Sequence, residues 1–273
     1  MLDRVVLNEL FPDTTYANES GGDPDVIPEL TYEQFLDFHR RYYHPSNSYI
    51  YLYGDMDMIE KLNWLDEMYL SKFDQIVIDS EIKKQEPFAQ VKEVEIPYSI
   101  SNERSSGSES EDNGMETESS EESEEDHTFL SYNKVIETSL DRELYLAFQI
   151  LDYALLSAPG APLKKHLLEA GIGKDILGSY DNGIYQPIFS IVAKNANVED
   201  KERFVTIIED TLKQIVKEGV KESSILASIN STEFRFREAD FGSFPKGLLY
   251  GLNMMNTWLY DEEQVFDQLE MLD

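Results

Sequence analysis

Any metal or nucleophilic centre in this 273-residue chain must be assembled from four histidines, many carboxylates and hydroxyls, because there is no cysteine. That composition removes thiolate nucleophiles, disulfides and sulfur-ligated zinc, and it suits a reducing compartment. A zinc hydrolase needs imidazoles converging on one ion, which on a helix means a spacing of three or four. His39 and His44 are five apart, about 140° around a helix, so they diverge. Packing or capping is the plainer role for both. No H-E-x-x-H or H-x-x-E-H run occurs in the chain. His166 falls in an amphipathic helical stretch and His127 borders an acidic segment, neither with an evident partner. Gly242-Ser243-Phe244 and Ser20-Gly21-Gly22 do not fit the strand–G-x-S-x-G–helix setting of a nucleophilic serine. Gly171-Ile172-Gly173-Lys174 lacks the phosphate-loop spacing and reads as a helix C-cap followed by a turn. The carboxylates are too numerous for any two to be singled out as acid and base. No catalytic, cofactor-binding or metal-ligating residue is therefore assigned to this chain.

Charge narrows the partners. Fifty-four Asp and Glu against 23 Lys and Arg give −31 at neutral pH. Such a surface repels nucleic-acid phosphates and anionic membranes and favours neutral or cationic partners. Residues 105–126 hold ten of the acidic side chains and no basic one. This serine-rich insert, 102–126, lacks the residue order of a calcium loop and is expected to be a solvated, disordered loop. Ser119, Ser120 and Ser123 precede acidic residues in a pattern that suits an acid-directed kinase. Elsewhere, 41% hydrophobic and 12% aromatic content predicts real cores. No apolar run approaches the ~20 residues that cross a bilayer. The first residues show no basic-then-apolar leader pattern.

The elements follow from periodicity. Residues 1–11 read as an amphipathic helix already in progress, stopped by Pro12-Asp13, which suggests an internal piece of a longer chain. Thr31 and Gln34 form a capping-box pattern opening a helix over 32–43. Alternation predicts a strand over 48–53, with Tyr49, Tyr51 and Tyr53 on one face as sheet packing. Further helices are expected over 58–73, 140–156, 162–171 and 199–218, and through most of the remainder, with a break around 242–247. Strands are expected over 92–98, 127–136 and 187–193, the first two pairing as a hairpin that carries the acidic insert at its tip. The domain reading is 1–75 as the C-terminal part of a first domain, 76–90 as a linker, and 91–273 as a second domain. Residues 1–75 should lack sheet partners and expose apolar surface. The fold class is α+β, a mixed or antiparallel sheet layered with helices.

Several of these segments together resemble one family. Leu10-Phe11-Pro12-Asp13-Thr14-Thr15-Tyr16 followed by Ser20-Gly21-Gly22-Asp23-Pro24 resembles a signature loop of the pitrilysin/insulinase zinc metallopeptidases, in their presequence-protease branch. Residues 27–35, Phe38-His39, Tyr42-Tyr43-His44-Pro45-Ser46-Asn47 and Tyr53-Gly54-Asp55 resemble its next helix and strand. Pro159-Gly160-Ala161-Pro162-Leu163, Glu169 to Gly173, Gln186 to Ser190 and Ala193 to Asn197 resemble its second domain. The likeness spans nearly all of the chain except residues 99–126. It implies a LuxS/mitochondrial-processing-peptidase-like metallohydrolase fold with the first domain incomplete. It also implies membership of a peptidase whose four such domains enclose a chamber in which zinc-bound water cuts unfolded peptides. The family's inverted zinc motif and third-ligand glutamate precede the stretch matched here, and its transition-state Arg and Tyr belong to its C-terminal half. Glu9, which follows Asn8, is rejected as that third ligand. The implied partners are the remainder of the same polypeptide and peptide substrates, basic ones given the charge, with no nucleic acid and no membrane. The implied setting is cytoplasmic in a bacterium and organellar, of mitochondrial type, in a eukaryote. The chain alone is then expected to be inactive. The alternative is a non-catalytic binding or scaffold subunit of the same superfamily.

Overall fold

The computed structural model describes residues 2–98, 127–238, 242–263 and 265. The first of these stretches is helical and irregular. Helix α1 spans Leu2–Leu10, α2 Tyr32–Tyr42 and α3 Met58–Met68. Capping explains where the last two begin. The Thr31 hydroxyl accepts from the Gln34 amide at 3.2 Å, and the Gln34 side chain accepts from the Thr31 amide at 2.8 Å, a reciprocal pair that satisfies two helix-end donors. Asp57 does the same work for α3 through the Glu60 amide, 2.9 Å away.

The second stretch carries the sheet. Strand β1 (Thr128–Val135) precedes helix α4 (Arg142–Asp152), which is capped by Asp141 through the Leu144 amide at 3.0 Å. The chain then widens into one π turn over Tyr153–Ser157, closed by the Ala158 amide on the Tyr153 carbonyl at 2.7 Å. Helix α5 (Pro162–Glu169) opens on a proline whose missing N–H is not needed there, and it stops before Gly171, whose φ of +74° is the left-handed turn glycine adopts freely. Strands β2 (Asp175–Asp181) and β3 (Ile188–Ala196) follow, then α6 (Lys201–Glu218), α7 (Glu222–Arg237) and α8 (Lys246–Trp258).

The sheet is antiparallel in the order β1-β3-β2. Val135 and Asp181 both sit opposite Ile188 at one end, on either side of the central strand. Side chains alternate faces along a strand, so the four consecutive buried residues Ile188, Phe189, Ser190 and Ile191 mean that both faces of β3 are covered there. One cover is a cluster in which Leu163, Leu167, Ile172, Phe204 and Ile208 from α5, the following turn and α6 close on Ile191 and Ala193. The architecture is therefore α+β, an antiparallel three-stranded sheet with helices packed on it.

Two strand expectations need correction, and one strand was missed. Residues 48–53 form no strand, because a strand exists only as a paired object and no partner strand flanks them among the described residues. Residues 92–98 also form no strand, and β1 pairs with β3 instead. The segment reaches the start of β1 through side chains: the Tyr98 hydroxyl donates to the His127 carbonyl, and its ring meets Phe129 at 6.1 Å between centroids. Strand β2 was not foreseen. Its Gly, Ser and two Asp are poor strand formers, yet Gly178 is what lets Leu156 approach, since a Cβ there would lie 2.7 Å from the Leu156 Cβ. The acidic insert at 102–126 lies outside the described residues.

Candidate functional surface

Three of the four histidines have local duties. His39 stacks on Tyr43 at 4.7 Å and 13° on the exposed side of α2. His44 accepts the Ser46 amide on Nδ1 at 3.1 Å, capping the short turn Pro45–Asn47, and meets the ring edge of Phe73. The Nδ1 of His166 is 2.9 Å from the buried Thr211 hydroxyl, joining α5 to α6. Glu9 is ion-paired with Lys92 at 2.5 Å. Among the described residues no three His, Asp or Glu side chains converge as a metal would require. The donor set among the described residues does not fit zinc. Gly171 and Gly173 have φ of +74° and +67°, and a Cβ on Gly173 would press on the Lys194 carbonyl. They form a turn against β3, as expected of a helix end.

What the structure does assemble is a junction between the first stretch and the second. Phe11, at the end of α1, is fully buried. Two residues on, the Asp13 amide donates to Gln85 Oε1 at 2.9 Å, and Gln85 Nε2 donates to the Asp13 carboxylate at 2.8 Å. Gln85 and Gln186 clasp each other through side chain and backbone: the Gln85 amide donates to Gln186 Oε1 at 2.6 Å, and Gln186 Nε2 to the Gln85 carbonyl at 3.2 Å. Both glutamines are buried, so each partner removed would leave a desolvated group unpaired. Beside them the Tyr16 and Tyr260 hydroxyls lie 3.0 Å apart, and Tyr16 also accepts the Tyr185 amide at 3.2 Å. Burial, and then the bond to Tyr16, push the Tyr260 hydroxyl well above the usual tyrosine range. The Tyr260 phenol is a neutral clamp rather than an acid.

Sequence reasoning missed this junction. A lone buried glutamine has no periodicity to betray it, and Gln85 stands in a stretch read as a linker. The one available signal was a neutral amide set among Lys83, Lys84 and Glu86.

The remaining feature is a surface. Within residues 2–75 only Phe11 is buried. Helix α2 presents Tyr32, Phe35 and Phe38 to solvent at 70%, 63% and 57% exposure, and α3 presents Ile59 and Trp64. Isolated exposed apolar side chains are ordinary, but α2 and α3 each bare several large ones.

Residues 29–231, about three quarters of the chain, match the family model described as Peptidase M16 inactive domain. The chain belongs to the peptidase M16 family. Within it the similarity is to the presequence-protease type: the chain is 36% identical over 264 residues to Presequence protease 1, chloroplastic/mitochondrial, of Arabidopsis thaliana, covering 96% of this chain and 23% of that protein. It is 45% identical over 261 residues to Protein HypA of Clostridium perfringens, covering 96% of this chain and 25% of that protein. The chain thus spans about a quarter of the length of these relatives. Its fold is that of the peptidase M16 inactive domain from Pseudomonas fluorescens, with a TM-score of 0.62 at 18% identity over 99% of this chain and 58% of that one. Among the described residues no helix is long and apolar enough to cross a membrane.

Proposed function

We propose that this chain is a non-catalytic part of a zinc-dependent metalloendopeptidase that degrades unfolded peptides inside a closed chamber. Residues 1–75 are read as the later part of the first, catalytic-type domain, 76–90 as the connection, and 91–273 as the second domain. Zinc, its ligands and the general base come from the remainder of the polypeptide, which also covers the outward faces of α2 and α3. The match of residues 29–231 to the inactive domain of the family carries this reading. The occupied histidines and the bared helix faces support it.

The acidic balance of the chain gives the chamber wall a field that attracts basic peptides. The setting follows the host: cytoplasmic in a bacterium, organellar in a eukaryote. The test is a peptide-cleavage assay with and without chelator, run on this chain and on a longer polypeptide that includes an H-x-x-E-H segment. Chelator-sensitive cleavage only by the longer protein is the expected result. Robust chelator-sensitive cleavage by this chain alone, with stoichiometric bound zinc, overturns the reading.

A further inference from the structure

Helix α8 carries two glycines four residues apart, Gly247 and Gly251, where alanine would serve a helix better. Neither has the positive φ that would demand glycine. Their role is close approach. A Cβ on Gly247 would collide with the ring of Tyr53, and one on Gly251 with the ring of Tyr51. The Tyr51 hydroxyl donates to the Gly247 carbonyl, and Tyr49 meets Trp258 edge-on at 4.9 Å. The three tyrosines of residues 49–53 thus lie along one track of α8. That helix is fastened to the second stretch by other side chains. Thr257 is buried, Asn256 Nδ2 is 3.5 Å from the Tyr145 hydroxyl, and the Tyr250 hydroxyl donates to the Phe236 carbonyl.

We propose that α8 is a latch, with the Gly247/Gly251 track holding residues 49–53, and that the buried junction at Phe11, Asp13, Gln85 and Gln186 is the pivot about which the first stretch turns when the latch opens. The asymmetry between the two contacts decides which is which. The pivot residues Phe11, Gln85 and Gln186 are all buried, so opening there strands desolvated amides. Tyr51 and Tyr53 remain 40% and 48% exposed while seated, so leaving α8 costs little desolvation. Residues 76–98, at the end of the first stretch, contain no helix or strand to resist the turn. Low-stability contacts of this kind open first.

The chain has two tryptophans, so Trp64→Phe leaves Trp258 as a reporter seated against Tyr49. In that background Gly251→Ala strengthens α8 as a helix but expels the Tyr51 ring. Acrylamide quenching of Trp258 should rise, and proteolytic nicking within residues 76–98, located by mass spectrometry, should accelerate about tenfold, as a loss of local protection does. Unfolding of the sheet core, followed by denaturant, should stay in place. Tyr51→Ala should open the latch equally, and Gly251→Ala added to it should do nothing more. Unchanged quenching and nicking in either single variant overturns the proposal. So does strict additivity of the two, which would mean that the glycine acts within α8 and not through the ring.

Discussion

Helices α2 and α4 are a matched pair that end up in opposite situations. Both are 11 residues long, both open on a side-chain cap to the third amide, and both place aromatic residues along one stripe. Helix α4 lays Tyr145 and Phe148 against the sheet, with Phe148 meeting Tyr180 at 5.9 Å and Phe189 at 5.7 Å. Helix α2 buries nothing. A cap and a periodic stripe are local instructions and are obeyed wherever they occur. Burial is a different matter, because it needs a surface contributed by distant chain. Around α4 that surface is β2, β3 and α7, whereas around α2 it is missing from the described residues.

The contrast can be broken most forcefully at the core. Ile191→Ala, at a fully buried position of β3, should cost about 2–5 kcal/mol of unfolding free energy. Phe35→Ala on α2 should cost less than ~0.5 kcal/mol in this chain. Denaturant titration of the two variants decides, and equal losses would abolish the distinction. The junction should fall between. Gln186→Ala removes the acceptor of the Gln85 amide and should cost about 1–3 kcal/mol, read from the same titration. Thr31→Ala should remove about 1 kcal/mol from α2 itself. Hydrogen exchange of the α2 amides should show that loss while β3 protection holds.

The smallest effect is electrostatic and lies on α4. Asp152 has a buried carboxylate oxygen with no hydrogen-bond partner among the described residues, and burial raises its pKa above the usual carboxylate value. An acid with a raised folded pKa holds its proton longer in the folded state. Stability contributed by this group therefore grows as pH falls through that pKa and declines as pH rises through it. Asp152→Asn should be more stable than the parent at neutral pH, and the gap should close as pH falls through the carboxylate range. A gap that widens on acidification would contradict the assignment.

Much of this was readable in the residues. Thr31 and Gln34 announced α2 to within a residue, Pro162 and Gly171 bracketed α5, and the Phe204, Ile208 and Leu212 stripe marked α6. Spacing alone set His39 and His44 apart, and the structure then shows what each of these two contacts. Pairing was less legible. Alternation at 48–53 and 92–98 states a preference for extended chain but names no neighbour, while β2 alternates poorly and is a strand because β3 runs beside it. The Asp13–Gln85–Gln186 clasp was invisible for a related reason, since its members are 72 and 101 residues apart.

The π turn after α4 has a bearing on which changes of length this chain can survive. Because the turn at Tyr153–Ser157 holds one residue more than an α-turn, Ala154, Leu155 and Leu156 can all point inward in succession. Losing a single residue there would leave an ordinary helix, sterically sound but rotated by about 100° from that point on. Leu163 and Leu167 would swing away from Ile191, and Gly178 would face a hole where Leu156 had been. The number of residues across those five positions is thus as constrained as the packing of Ala154, Leu155 and Leu156.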